Sequence, residues 1–215
     1  MRRVLLTFVL LVLAASPAAA QEDLPPGGTF YDDRGSVHEP DIEAVAASGI
    51  TRGCHDTKPI FCPDQPITRG QMAAFLVRAV GFPAAEGGHF RDTDDSTYRA
   101  GVTKGCNPPA NDRFCPERTI TRGEMATFLV RAFELAPAEE PSRFRDLGDT
   151  VHAEDIEALA AAGITKGCNP PDNTRYCPHS KVTRAEMATF LVRALPDLEP
   201  ITPPPLPEIQ RVSRF

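Results

Sequence analysis

One thirteen-residue string constrains this chain more than any other feature, because it occurs three times. It reads ITRGQMAAFLVRA from Ile67, ITRGEMATFLVRA from Ile120 and VTRAEMATFLVRA from Val182. Upstream of each copy lie a Gly-Cys pair and then a Cys-Pro pair, at Cys54 and Cys62, Cys106 and Cys115, and Cys168 and Cys177. Further upstream stands Phe-x-Asp: Phe30 with Asp32, Phe90 with Asp92, Phe144 with Asp146. The fixed order identifies tandem repeats. Their bounds read as 27–82, 88–135 and 142–195, with a Pro-rich tail over 196–215.

The repeats are not equivalent. VHEPDIEAVAASGITRGC from Val37 parallels VHAEDIEALAAAGITKGC from Val151, and Phe to first Cys is 24 positions in both. In the second repeat that distance is 16. The deficit is about two turns of helix, so the second repeat has a shortened first helix.

Each full repeat reads as helix, loop, helix. Ile156, Leu159, Ala160 and Gly163 follow the i, i+3, i+4, i+7 spacing of one apolar face. Gly163 suits a left-handed position just past the helix, followed by the apolar Ile164. The second helix opens on a capping-box signal, Thr183 with Glu186, repeated as Thr121 with Glu124 and as Thr68 with Gln71. Met187, Phe190, Leu191 and Ala194 form its apolar stripe. Helices this short are marginal alone, so they must pack on each other and on neighbouring repeats.

The ends differ from the repeats. Arg2 and Arg3, the apolar run Val4 to Ala15 and the small residues Ala18 to Ala20 read as a signal peptide over 1–20. The apolar run is too short to span a bilayer, and no second one follows. The tail reads as extended and loosely held. Removing Arg2 and Arg3 takes the formal net charge from −6 to −8. An acidic chain with no basic run is a poor partner for nucleic acid, whose affinity comes from neutralised phosphates.

Export to an oxidising compartment makes disulfides the leading reading of the six cysteines. Repeat symmetry pairs Cys54 with Cys62, Cys106 with Cys115 and Cys168 with Cys177, each bridge contributing about 2.5 kcal/mol in the chain-entropy model. The rival is zinc, since His55 and His179 stand beside cysteines. No CxxC occurs and the second Cys loop holds no histidine, so no metal and no cofactor is expected.

The order Phe-x-Asp, Ile-x-x-Leu-Ala, Gly-Ile-Thr and Thr-Arg-Ala-Glu-Met-Ala resembles the S-layer homology (SLH) family. The string is complete over 144–188, nearly complete over 30–73, and keeps its two ends over 90–126. The resemblance implies an all-α fold of three helix-loop-helix repeats around a pseudo-threefold axis. Grooves between the repeats would hold a cell-wall polysaccharide, often one carrying an acidic pyruvyl ketal. The family's ligand-contacting arginine maps to Arg69, Arg122 and Arg184. Two departures stand out. There is no tryptophan, and His38 and His152 stand near the place where the family often carries one; the usual Tyr-x-Asp-Gly-x-Phe loop gives way to Cys-bracketed loops.

Two roles are open for each arginine. At a helix start it would sit beside free N–H groups and form a fork for a carboxylate. Alternatively it ties to the Asp of Phe-x-Asp: Asp32, Asp92 or Asp146. His38 and His152 would either contact ligand or cap the first helix. The function that follows is non-catalytic attachment to cell-wall polysaccharide by a secreted, surface-associated chain. A structural subunit acting through protein contacts with other envelope proteins is the alternative. An enzyme is disfavoured, since no histidine is shared by all repeats and no Ser-His-Asp spacing or Gly-rich phosphate loop stands out.

Overall fold

A computed structural model describes residues 24–81, 90–93 and 102–207. The signal peptide, the spacer Pro83 to Gly88, the short first-helix segment of the second repeat and the end of the tail lie outside these residues. The described part is helical, with five helices and no strand among the described residues. They are α1 (Glu39–Ala47), α2 (Arg69–Val80), α3 (Arg122–Ala132), α4 (Ala153–Ala161) and α5 (Arg184–Ala194).

Local sequence sets the helix ends. Thr68, Thr121 and Thr183 each accept from the backbone N–H of the residue three ahead, and Gln71, Glu124 and Glu186 reach back, so all three capping boxes form. At the end of α4, Gly163 takes φ +72°. Ile164 N–H donates to the Leu159 carbonyl at 3.1 Å and Gly163 N–H to Ala160 at 2.9 Å, the two bonds of a Schellman motif.

The predicted stripe is buried: Met187, Phe190 and Leu191 face inward, as do Met72, Phe75 and Leu76 on α2 and Met125, Phe128 and Leu129 on α3. A helix packs on its neighbour's partner rather than on its own. α4 of the third repeat lies on α3 of the second, and α1 of the first lies on α5 of the third. Between the helix starts, Ile67 N–H donates to the Val182 carbonyl (2.9 Å), Val182 to Ile120 (3.2 Å) and Ile120 to Ile67 (3.2 Å). This three-membered ring ties every repeat to the other two, and its side chains are fully buried.

The predicted disulfides form: Cys54–Cys62, Cys106–Cys115 and Cys168–Cys177. The second cysteine of each pair sits at φ +57° to +60°, a left-handed conformation costly for a residue with a Cβ.

The tail departs from the loose end expected of it. Ile201 N–H donates to the Pro40 carbonyl at 2.9 Å, and Gly27 N–H to the Pro204 carbonyl at 2.8 Å. Leu198 and Ile201 are partly buried against the core. Proline removed donors from the tail, but the remaining apolar side chains and backbone groups still found partners on the first repeat.

Asp33 occupies the place that Leu147 takes in the third repeat. It is 1% exposed, and neither carboxylate oxygen has a partner. Burial, then the charges of Glu43, Glu39 and Asp32, push its carboxyl from 3.8 up to about 7. The unfolded chain releases this proton near pH 4 and the folded chain near pH 7. The folded state therefore binds more protons between those values, and stability falls as pH rises through the window. Asp33→Asn should remove that fall, raising the melting temperature at pH 8 more than at pH 5. Equal shifts at both values would contradict the assignment.

Candidate functional site

Arg69, Arg122 and Arg184 each open a second helix, and each side chain leaves its own repeat. Arg69 Nε donates to the Phe114 carbonyl (2.6 Å), Arg122 to Tyr176 (2.8 Å) and Arg184 to Phe61 (2.7 Å). Each guanidinium also faces two rings of the receiving repeat. Arg69 lies 4.9 Å from Phe114 and 5.0 Å from Phe128; Arg122 lies 4.9 Å from Tyr176 and 5.3 Å from Phe190. Arg184 lies 4.8 Å from Phe61 and 5.5 Å from Phe75. All three arginines are 3% exposed. Burial pushes Arg69 and Arg184 down to about 10, so both stay charged at neutral pH.

The aspartates hold the same residues from the other side. Asp32 accepts from Phe61 N–H (2.7 Å) and Cys62 N–H (2.8 Å). Asp92 does so for Phe114 and Cys115, and Asp146 for Tyr176 and Cys177. Burial raises the carboxyls of Asp92 and Asp146, but the paired backbone donors outweigh it and hold both below the usual range. Arginine and aspartate thus meet on one backbone residue, and among the described residues no ion pair joins them directly.

The helix starts are not open, contrary to the expectation of free N–H groups there. Arg69 and Gly70 N–H donate to the carbonyls of Arg118 and Pro116, both at 2.9 Å. Arg122 and Gly123 use Ser180 and Pro178, and Arg184 and Ala185 use Gln65 and Pro63. The third N–H goes to the capping threonine. Recognition at these helix starts must come from side chains.

Two of these arginines, Arg69 and Arg184, line grooves. One, of about 280 Å³, holds Arg69, Thr103, Lys104, Glu124, Arg131 and His152. The other, of about 450 Å³, holds Arg184, Arg52, His55, Gln71, Ala74 and Arg78. The residue three into the helix distinguishes them. Glu186 pairs with Arg122 at 2.8 Å and Glu124 pairs with Arg118 at 2.5 Å, whereas α2 carries the neutral Gln71. Arg69 Nη2 donates to Thr103 Oγ1 at 3.0 Å, but Arg184 Nη2 has no partner in the protein.

His38 and His152 occupy N-cap positions without making a cap bond. Their Nδ1 atoms instead lie 2.8 Å from Thr189 Oγ1 and Thr127 Oγ1 on the facing helices. Those hydroxyls in turn donate to Asp41 and Asp155. Reading the sequence alone missed both threonines, both aspartates and Gln71. One signal was present: the repeated block carries Thr at 127 and 189 but Ala at 74.

The family model described as S-layer homology domain matches residues 30–73 and 143–188. These two segments thus carry the S-layer homology domain. The chain is 25% identical over 205 residues to the Surface-layer 125 kDa protein of Lysinibacillus sphaericus, covering 90% of this chain and 17% of that protein. It is 28% identical over 200 residues to S-layer protein EA1 of Bacillus anthracis, covering 86% and 22%. A Cellulosome-anchoring protein of Acetivibrio thermocellus is 29% identical over 154 residues, covering 63% and 33%. The chain therefore spans between about a sixth and a third of these relatives. The family and its S-layer members make this a secreted protein associated with the cell surface.

Removing a buried arginine should cost stability wherever it binds. Arg122→Ala leaves the Tyr176 carbonyl and Glu186 without their partner, and a broken buried charge pair typically costs about 3–5 kcal/mol. Urea unfolding should show a loss of that order. A loss below about 1 kcal/mol would show that the arginine does not hold the repeats together.

Proposed function

We propose that this chain anchors non-covalently to the cell envelope by binding an acidic cell-wall polysaccharide, without catalysis, chiefly in the groove over Arg184. The observation that carries this reading is the guanidinium of Arg184. It lines a groove of about 450 Å³, keeps its charge, and leaves Nη2 without a protein partner. A buried donor without an acceptor is costly, and a ligand carboxylate would supply the acceptor in fork geometry. Arg78 and Arg52 line the same groove. The residue that would neutralise the site is Gln71, where its counterparts are glutamates.

Anchoring fits the relatives: surface-layer proteins and a cellulosome-anchoring protein share this segment. Relatives named as a cell wall amidase and an amylopullulanase share it too, over 36% and 9% of their own lengths. A segment common to proteins of such different names is best explained as their means of attachment.

The discriminating variant is Gln71→Glu. It keeps the capping box, since glutamate serves at this position in α3 and α5, and it sets a carboxylate beside Arg184. Sedimentation with purified wall material should show binding reduced about tenfold, equivalent to about 1.4 kcal/mol, with an unchanged or higher melting temperature. Chemically stripping the polysaccharide from the wall should abolish wild-type binding. Undiminished binding to stripped wall would sink the reading.

A further inference from the structure

The second feature of the Arg69 groove is the histidine His152, and its chemistry is set by what stands behind it. A threonine hydroxyl has one proton to give. Asp155, when ionised, can only accept, so the Thr127 proton goes to Asp155. The 2.8 Å contact between Thr127 Oγ1 and His152 Nδ1 then needs its proton from the histidine. His152 must carry hydrogen on Nδ1. Burial of the ring, set against the charges of Glu124 and Asp155, moves its pKa below 6.5, so the neutral form prevails at neutral pH and Nε2 is bare. The same hydrogen-bond geometry recurs at His38, Thr189 and Asp41.

We propose that His152 and His38 are ligand-reading residues fixed by an Asp–Thr relay as the Nδ1–H tautomer, each offering the Nε2 lone pair to a hydroxyl of a bound saccharide. This rests on the wall-binding function and adds to the Arg184 groove a second place of contact, which reads hydroxyls rather than charge. The His152 ring lines the Arg69 groove with Lys104, Arg118 and Arg131, all pure donors. Glu124, the carboxylate there, is engaged by Arg118. A sugar hydroxyl both donates and accepts, so it needs an acceptor among those donors, and the histidine supplies it. The local backbone makes room for the ring: a Cβ on Gly123 would lie 2.9 Å from His152 Cδ2.

The three helices support the assignment independently. Thr127 on α3 and Thr189 on α5 each face a histidine, and α2 has Ala74 at the equivalent place, in the groove of the unpartnered Arg184 Nη2. The relay is present where a histidine needs orienting. The grooves then differ in kind: the relay histidines read hydroxyls, while the Arg184 groove reads an acid.

Nitrogen-15 NMR of histidine-labelled protein at neutral pH should show His152 and His38 with protonated Nδ1 and bare Nε2, and added wall polysaccharide should shift Nε2 while leaving Nδ1 in place. Thr127→Val should give mixed tautomers at His152 alone. In binding assays with the same polysaccharide, His152→Leu should lose about tenfold, equivalent to about 1.4 kcal/mol. His152→Gln, whose amide oxygen approaches the Nε2 position, should stay within about threefold. A proton on Nε2 in the free protein, or His152→Leu binding as well as wild type, would overturn the proposal while leaving wall binding intact. Wild-type protein that fails to bind the polysaccharide would overturn the wall-binding function and the histidine's ligand together.

Discussion

Everything in this structure depends on one backbone residue held from both sides. At Phe61, Phe114 and Tyr176, the N–H is bound by an aspartate of the same repeat and the carbonyl by an arginine of another. The aspartate fixes the loop within its repeat, including the left-handed cysteine beside it. The arginine fixes the repeats to each other. Because the arginines run from the first repeat to the second, the second to the third and the third to the first, none of these bonds belongs to one repeat alone. Helices of nine to twelve residues have little stability in isolation. Shared partners solve that problem, and they explain why a charged residue sits in the core. Its charge is stacked between rings and its donors meet carbonyls, which limits the desolvation cost.

The same arrangement decides what the surface can recognise. A helix start is ordinarily a ready anion site because its N–H groups are free. Here the neighbouring Cys loop covers it, with carbonyls from Pro63, Gln65 and their counterparts taking the first two donors. Binding capacity passes to the side chains around the covered starts. Those side chains differ among helices that are otherwise near copies: Gln71 against Glu124 and Glu186, Ala74 against Thr127 and Thr189. Repetition builds the frame, and under the proposed function the positions that break it would carry the chemistry.

This division explains what the sequence made legible. The capping boxes, the apolar stripe, the Schellman turn and the disulfides depend on neighbours within about a dozen residues, so local spacing, with repeat symmetry for the cysteines, revealed them. The burial of Arg69, Arg122 and Arg184 depends on partners between 45 and 123 residues away, and no local pattern encodes that register. Reading these arginines as lying at open helix starts was reasonable for an isolated helix and wrong for one covered by a neighbour. The docked tail has the same cause: Ile201 and Pro204 find the first repeat only because α5 already packs on α1. Two signals were visible and unread. Asp33 stands where Leu147 stands, and Thr replaces Ala on just the two helices that face a histidine.

The packing register also changes how the shortened second repeat bears on binding. Viewed repeat by repeat, the deficit would weaken the site of Arg122, which lies in that repeat. But Arg122 reaches forward to Tyr176, Phe190 and Glu186, and the helix carrying those last two is covered by α1 with His38. Its surroundings are complete. Among the described residues, the helix without a covering first helix is α2, which walls the groove of Arg184. At the place of Thr127 and Thr189, α2 carries Ala74. The Arg184 groove is the larger of the two, about 450 Å³ against 280 Å³, and holds the guanidinium nitrogen left without a partner. The larger groove and the unspent charge thus lie together, between the first and third repeats.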